Sequence, residues 1–275
     1  MIRGLLHDSD LQEVIWKQAF ASIGGVSPSD SCLCLAISPF APTEIKERFA
    51  QMAFEDLGFD ALYLTMTTNM VREFALEKNK SEMNSHCQLV VESGFSFTHL
   101  VPYFGGYPIN YATKRVDVGG KILTNFLKEI ISYREYNMMD ETSLVNQIKE
   151  AACRISLNID EELEIFKENV HEYCSKEFVL PDYQSTKKGS IQDRNPEEKK
   201  KDDKTGAQTL KLTHAMYTVP EVLFSPGDIG IMEAGVSEAL VQAVNSCPKV
   251  TQPLMYENII VAGGSTTIPG FQERL

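Results

Sequence analysis

Two short stretches carry residue types that could do chemistry. VESGFSFT (91–98) and AGGSTT (262–267) each place glycine, serine and threonine directly after a short apolar run. Glycine lets backbone come close to a phosphate or a purine, and successive N–H groups and hydroxyls supply the donors an anion needs. Each stretch is also what an ordinary hairpin or helix start looks like. No G-x-x-x-x-G-K-[ST] and no G-x-G-x-x-G is present, so neither a P-loop nor a Rossmann dinucleotide site is expected. The five histidines fall in no metal-ligand spacing, and the six cysteines form no C-x-x-C pair. No metal site is expected, and the thiols read as reduced and mostly buried.

The elements that must position these turns alternate between strand and helix. S-x-x-Q at Ser9 and Gln12 reads as a capping box, with Leu11, Val14 and Ile15 giving helical spacing to about Phe20. CLCLAI (32–37) and ALYLTM (61–66) read as strands, the first buried. A helix with Ile45, Phe49 and Met52 on one face lies between them and stops at Gly58. Another helix follows through Val71 and Phe74. Residues 88–91 form a strand leading into the first turn, and 107–118 alternate well enough for a strand ending at Gly119-Gly120. Helices then start at about Gly119 and Ser143, the second carrying Leu144, Ile148 and Ala152 inward with Lys149 and Glu150 on its flank. A helix from about Met232 turns Val236, Leu240, Val241 and Val244 inward, and strand 258–262 enters the second turn. The order predicts an α/β fold.

Composition sets the class. Of 275 residues, 43% are hydrophobic and 23% charged, as in ordinary globular proteins with real cores. No apolar run is long enough for a membrane-spanning helix, and the opening MIRGLLHDSD is too short an apolar stretch for a signal peptide. The net charge of −12 argues against a direct grip on nucleic acid. Residues 184–208 hold almost no apolar side chain and read as a disordered surface loop rather than a localisation signal. His99 reads as a packed histidine rather than a general base, and Asp117 as a locally paired one.

Taken in order, ESGFSFTHLVP, RVDVGGKILTNFLKEII, NQIKEAACRIS, VPEVLFSPGDIGI and NIIVAGGSTTIPGFQERL resemble the actin superfamily, from about Leu33 to Leu275. The resemblance implies the ribonuclease-H-type fold shared by actin, Hsp70 and sugar kinases, with two lobes, the small one incomplete. It divides the chain into a partial small lobe (1–90), a first part of the large lobe (91–155), an insertion subdomain (156–215) and a second part of the large lobe (216–275). A chain lacking the family's first phosphate hairpin and its last small-lobe segment is expected. FVLPDY and KLTHAMYTVPEVLFSPGDIGIMEAGVSEALV are most similar to the nuclear actin-related branch, which serves SWR/SRCAP-type chromatin-remodelling complexes in histone-variant exchange.

By resemblance, Gly94, Ser96 and Phe97 face the phosphates of ATP or ADP, with Gly120 behind them. Lys149 and Glu150 contact adenine and ribose, Gly263, Gly264 and Ser265 form the adenosine loop, and Glu92 is the acid of the magnesium region. Departures from the family pattern fall at the chemistry. Phe95 stands where a second carboxylate organises the hydrated cation, Thr67 where a glutamine positions water, and Ile268 where an aromatic stacks near adenine. No catalytic residue is assigned and no hydrolysis is expected, with nucleotide binding residual or lost. The expected partners are remodelling-complex subunits and, through them, the nucleosome, in the nucleus and also the cytoplasm. The alternative is an active actin-fold ATPase or a filament-forming cytoskeletal relative.

Overall fold

The computed structural model describes residues 5–24, 27–78, 86–168, 176–182, 188–193 and 208–275. Helix α1 (Ser9–Ile23) opens the fold, and its cap is Asp8, whose carboxylate accepts the Leu11 N–H at 2.9 Å. The expected Ser9–Gln12 box is therefore displaced by one residue. An aspartate in extended backbone already satisfies the first-turn amide, and Ser9 is the first helical residue. Leu11, Val14 and Ile15 are exposed, while Trp16 stacks on Phe49 with ring centroids 5.7 Å apart.

Strands β1 (Cys32–Ile37) and β2 (Ala61–Met66) pair in parallel, Cys32 opposite Ala61 and Ile37 opposite Met66. The crossover between them is α2 (Thr43–Gln51), which runs into a π turn at Met52–Asp56. Gly58, at φ 75°, ends it. Phe49 and Met52 are buried with Leu6, Ile37 and Ala41 in one core cluster. The strand CLCLAI forms where expected, but its burial alternates. Cys32 and Cys34 are exposed, because among the described residues β1 and β2 pair only with each other. Cys87, Cys153 and Cys247 are buried.

Helix α3 (Thr67–Lys78) follows β2 directly. Strands β3 (Cys87–Ser93) and β4 (Thr98–Phe104) flank the first glycine turn. The expected strand over 107–118 is broken into β5 (Tyr107–Pro108), a 3-10 turn at Asn110–Ala112 and β6 (Lys114–Val116). Pro108 cannot donate to a ladder, and the 3-10 turn ends the pairing that alternation alone suggested. Helices α4 (Gly120–Arg134) and α5 (Thr142–Ala152) pack together, followed by α6 (Ile159–Glu168).

Strands β7 (Lys176–Val179), β8 (Ser190–Asp193) and β9 (Thr209–Lys211) form an antiparallel sheet in the order β8-β7-β9. Ser190–Asp193 thus lie in a strand inside the stretch read as a disordered loop. The rest of that stretch, apart from 188–189 and 208, lies outside the described residues, as do His171 and Cys174. Helix α7 (Ala215–Glu221) precedes α8 (Val236–Asn245), which begins four residues later than its periodicity suggested. Val236, Leu240 and Val244 are buried there, but Val241 is exposed. Helix α9 (Gln252–Glu257), β10 (Ile259–Ala262) and α10 (Phe271–Arg274) complete the chain. The five-stranded sheet runs β10-β3-β4-β5, with β6 also on β4.

Contacts divide the chain into two compact units. The first takes Met1–Val91, Val101–Thr113 and Ser246–Ile260; the second takes Glu92–Leu100, Lys114–Asn245 and Val261–Leu275. In the first, Val90, Val101, Tyr103 and Ile260 form a core against Val71 and Ala75 of α3. The Tyr103 hydroxyl lies 2.8 Å from Thr68 Oγ1 and donates to Asn69 Oδ1, while buried Arg72 donates from Nε to Gln88 at 2.8 Å. In the second, Arg274 of α10 pairs with buried Glu221 at 3.0 Å and donates to the carbonyls of Ser156 and Leu157. The cap assignment is testable: Asp8→Ala should speed exchange of the Leu11 amide about fivefold, the equivalent of ~1 kcal/mol. Ser9→Ala should leave it unchanged.

Candidate functional site

All of the residues singled out for nucleotide contact lie in the second unit, and the hairpin between β3 and β4 is their anchor. Thr98 Oγ1 donates to the Val118 carbonyl at 2.9 Å and lies 2.8 Å from Ser93 Oγ. With the threonine proton so committed, Ser93 is the donor of that pair. The Gly94 N–H donates to the Phe97 carbonyl at 3.0 Å, leaving Phe95 and Ser96 at the tip.

The tip carbonyls are taken by α4. Gly120 N–H donates to the Gly94 carbonyl at 3.0 Å and Lys121 N–H to the Phe95 carbonyl at 2.7 Å. The amides of Ile122 and Leu123 both point at the Gly119 carbonyl. A helix N-terminus normally offers such amides to an anion. Here residues 120–123 already have protein acceptors. Gly119, read in the sequence as the end of a strand and the start of a helix, explains the fit: a Cβ there would stand 2.8 Å from Gly94 O, Phe95 O and Phe97 N alike.

The second glycine turn meets the same hairpin. Gly263 has φ 102°, and a Cβ on it would lie 2.2 Å from the Ser93 carbonyl. Both conditions require glycine. Ser265 Oγ donates to the Gly94 carbonyl at 3.0 Å, so that oxygen accepts from Gly120 and Ser265 together. Gly264 has nothing within 4 Å of where a Cβ would be.

Lys149 is buried, at 6% exposure, instead of lying on the flank of α5. Its Nζ donates to the Gly120 carbonyl at 3.2 Å and to Thr124 Oγ1 at 3.0 Å. Thr124 and Asn146, which sequence reasoning missed, extend this network: Thr124 Oγ1 lies 2.9 Å from Gly120 O and 3.3 Å from Asn146 Oδ1, and Asn146 Nδ2 donates to Glu150 at 2.7 Å. Their i, i+4 spacing to Gly120 and Glu150 was the available signal. Burial lowers the Lys149 pKa, opposed by Glu150 and Cys153. Burial also pushes the Cys153 thiol up to about 12.

The structure thus brings Gly94, Gly120, Lys149 and Ser265 into one hydrogen-bonded cluster, with Phe97 tied in through Gly94 and Gly263 packed against Ser93. Ser96 sits at the tip, Gly264 borders open space, and exposed Glu150 is held at the edge by Asn146. Glu92 is half-buried at the end of β3, Ile268 is buried, and Thr67 belongs to the first unit. Phe95 is 56% exposed, with a ring carbon 3.6 Å from where a Gly120 Cβ would be.

These positions fit a purine nucleotide only in part. The close backbone and the open side of Gly264 suit a flat ligand. The amides at the start of α4 and the Lys149 ammonium are engaged by protein. A hydrated magnesium ion needs carboxylate or similar oxygen donors, and Phe95 supplies none beside Glu92. The cation set does not fit, and no hydrolytic step follows from it.

His99 is fully buried in β4, its ring 4.5 Å from that of Phe97, over which the Arg115 guanidinium also sits at 4.5 Å. Asp117 bonds Arg115 at 2.6 Å. Burial first, and Arg115 second, push the His99 pKa down to about 4, against an opposing pull from Asp117. The unfolded histidine binds protons from pH ~6.5 downward, the folded one only near 4, so stability falls as pH drops through that window. His99→Gln should remove that slope, on the order of 3 kcal/mol, in urea unfolding followed between pH 7 and 4. Gly263→Ala should destabilise by about 3 kcal/mol or more in the same assay, while Gly264→Ala changes stability by less than ~1 kcal/mol.

Comparison of the sequence with known proteins finds a family for it. A model of the actin family, described as "Actin", matches residues 1–275. The chain is 37% identical over 294 residues to Actin-related protein 6 of Arabidopsis thaliana, covering 99% of this chain and 69% of the plant protein. It is 33% identical over 277 residues to Actin-related protein 6 of Drosophila melanogaster, covering 99% and 69% respectively. Against Actin-related protein 6 of Dictyostelium discoideum the identity is 31% over 341 residues, covering 100% and 70%. With its mixed helices and strands in an actin-like ATPase fold, the chain belongs to the actin family.

Proposed function

We propose that this chain is a non-catalytic, structural actin-related subunit of a nuclear SWR/SRCAP-type chromatin-remodelling complex that exchanges a histone variant. It holds partner proteins, meets the nucleosome only through them, and binds ATP or ADP with magnesium weakly or not at all. The observation that carries this reading is Phe95. A phenyl ring at the hairpin tip takes the place of a cation-organising acid, beside helix amides that the hairpin's own carbonyls already occupy. Similarity to Actin-related protein 6 of several organisms supports the assignment to this branch. The net charge of −12 supports an indirect relation to DNA.

Three measurements test it. With ATP and magnesium, the purified chain should release no phosphate above background; turnover that Thr67→Ala abolishes would instead make it an active ATPase. Sedimentation under the same conditions should show no polymer, and a pelleting filament would favour the cytoskeletal reading. Immunoprecipitation from nuclear extract should recover remodeller ATPase and helicase-like subunits. Their absence sinks the adaptor assignment.

A further inference from the structure

A pocket of about 270 Å³ opens in the second unit beyond the C-terminal end of α5. It is lined by Cys153, Leu212, Met216 and Tyr217, together with Ile191 of β8 and exposed Arg154. The volume lies just under the roughly 300–1,000 Å³ of sites for whole drug-sized ligands, and suits one or two side chains better than a cofactor.

Three features of this place point to the same occupant. The lining is largely apolar, and buried Leu212 and Met216 hold it in shape. Arg154 donates to the Tyr217 hydroxyl and stacks over its ring at 4.7 Å, which fixes the guanidinium in place. Yet no carboxylate lies within salt-bridge distance of Arg154 among the described residues, in a chain with twelve more acids than bases. Finally, β8 is an edge strand: it pairs only with β7 among the described residues, Ile191 opposite Phe178. An open edge offers unpaired N–H and C=O groups to an added strand, and a pocket beside it takes the alternate side chains of that strand.

We propose that this pocket and the edge of β8 that no described strand pairs together receive an extended peptide segment of a partner protein, an apolar side chain filling the pocket and a carboxylate pairing with Arg154. The proposal rests on the reading of the chain as a protein-holding subunit and supplies the chemistry of one such contact. The carboxylate completes a guanidinium that is already oriented, so little side-chain entropy is lost on binding.

The test is a titration of the chain with the peptide acetyl-TTFTET-amide, in which phenyl and carboxylate lie two positions apart on one strand face, followed by NMR shifts. Saturable shifts at Leu212, Met216 and Ile191 are expected. Replacing the peptide's acid by glutamine, or Arg154→Gln in the protein, should each weaken binding about tenfold, and the two together no more than one alone. Ala152→Leu, which fills the pocket from α5, and N-methylation of the peptide backbone should both abolish saturation. Absence of saturable shifts overturns the proposal, as does an affinity indifferent to Arg154. If 3-phenylpropionate binds as tightly as the peptide, the site takes a free small acid and the strand-pairing idea falls. Failure here leaves the recovery of remodeller subunits by the wild-type chain intact. Failure of the adaptor reading removes those subunits while peptide binding persists.

Discussion

The close approach of one backbone to another at Gly119 governs the candidate site. Three backbone atoms of the hairpin tip crowd the space where a Cβ would be, and this lets the first amides of α4 reach the Gly94 and Phe95 carbonyls. Everything around it follows. The Gly120 carbonyl turns toward Lys149, the Gly94 carbonyl is shared with Ser265, and Gly263 comes against Ser93. A methyl group at position 119 would separate the hairpin from the helix and scatter the cluster.

The electrostatics of the cluster point inward. A helix N-terminus and a lysine are both positive and would ordinarily attract an anion. Here carbonyl oxygens absorb both: Gly94 and Phe95 for the helix amides, Gly120 for the ammonium. The same donors that could bind a phosphate stabilise the hairpin's seat instead, and Phe95 presents an exposed hydrocarbon surface at the tip. A positively polarised cradle need not be a binding site when its donors already have partners.

Much of this was legible in the chain, and the failures are instructive. The runs CLCLAI and ALYLTM give strands because short apolar segments flanked by breakers have few other uses. Their exposed faces were not legible, since burial depends on what covers a sheet and not on the strand itself. The helix cap moved from Ser9 to Asp8 because two good capping residues stand side by side and only geometry chooses between them. At the site, the glycines after strands were visible, but Gly119 looked like any other break. Lys149 beside Glu150 read as the flank of its helix, and the packing of α5 against α4 buries it. Helical periodicity gives the angle of a side chain, and the packing of a neighbouring helix decides whether that angle is inside.

The parallel pair β1 and β2 has a consequence of a different kind. Parallel strands are usually covered on both faces, yet here Cys32, Cys34 and Tyr63 are exposed on one of them. A contiguous apolar, thiol-bearing face of this kind favours contact with another protein surface over contact with water. Handling the protein is then a colloidal problem before it is an enzymological one. Association of copies through that face should therefore depend on protein concentration and on whether Cys32 and Cys34 are kept reduced.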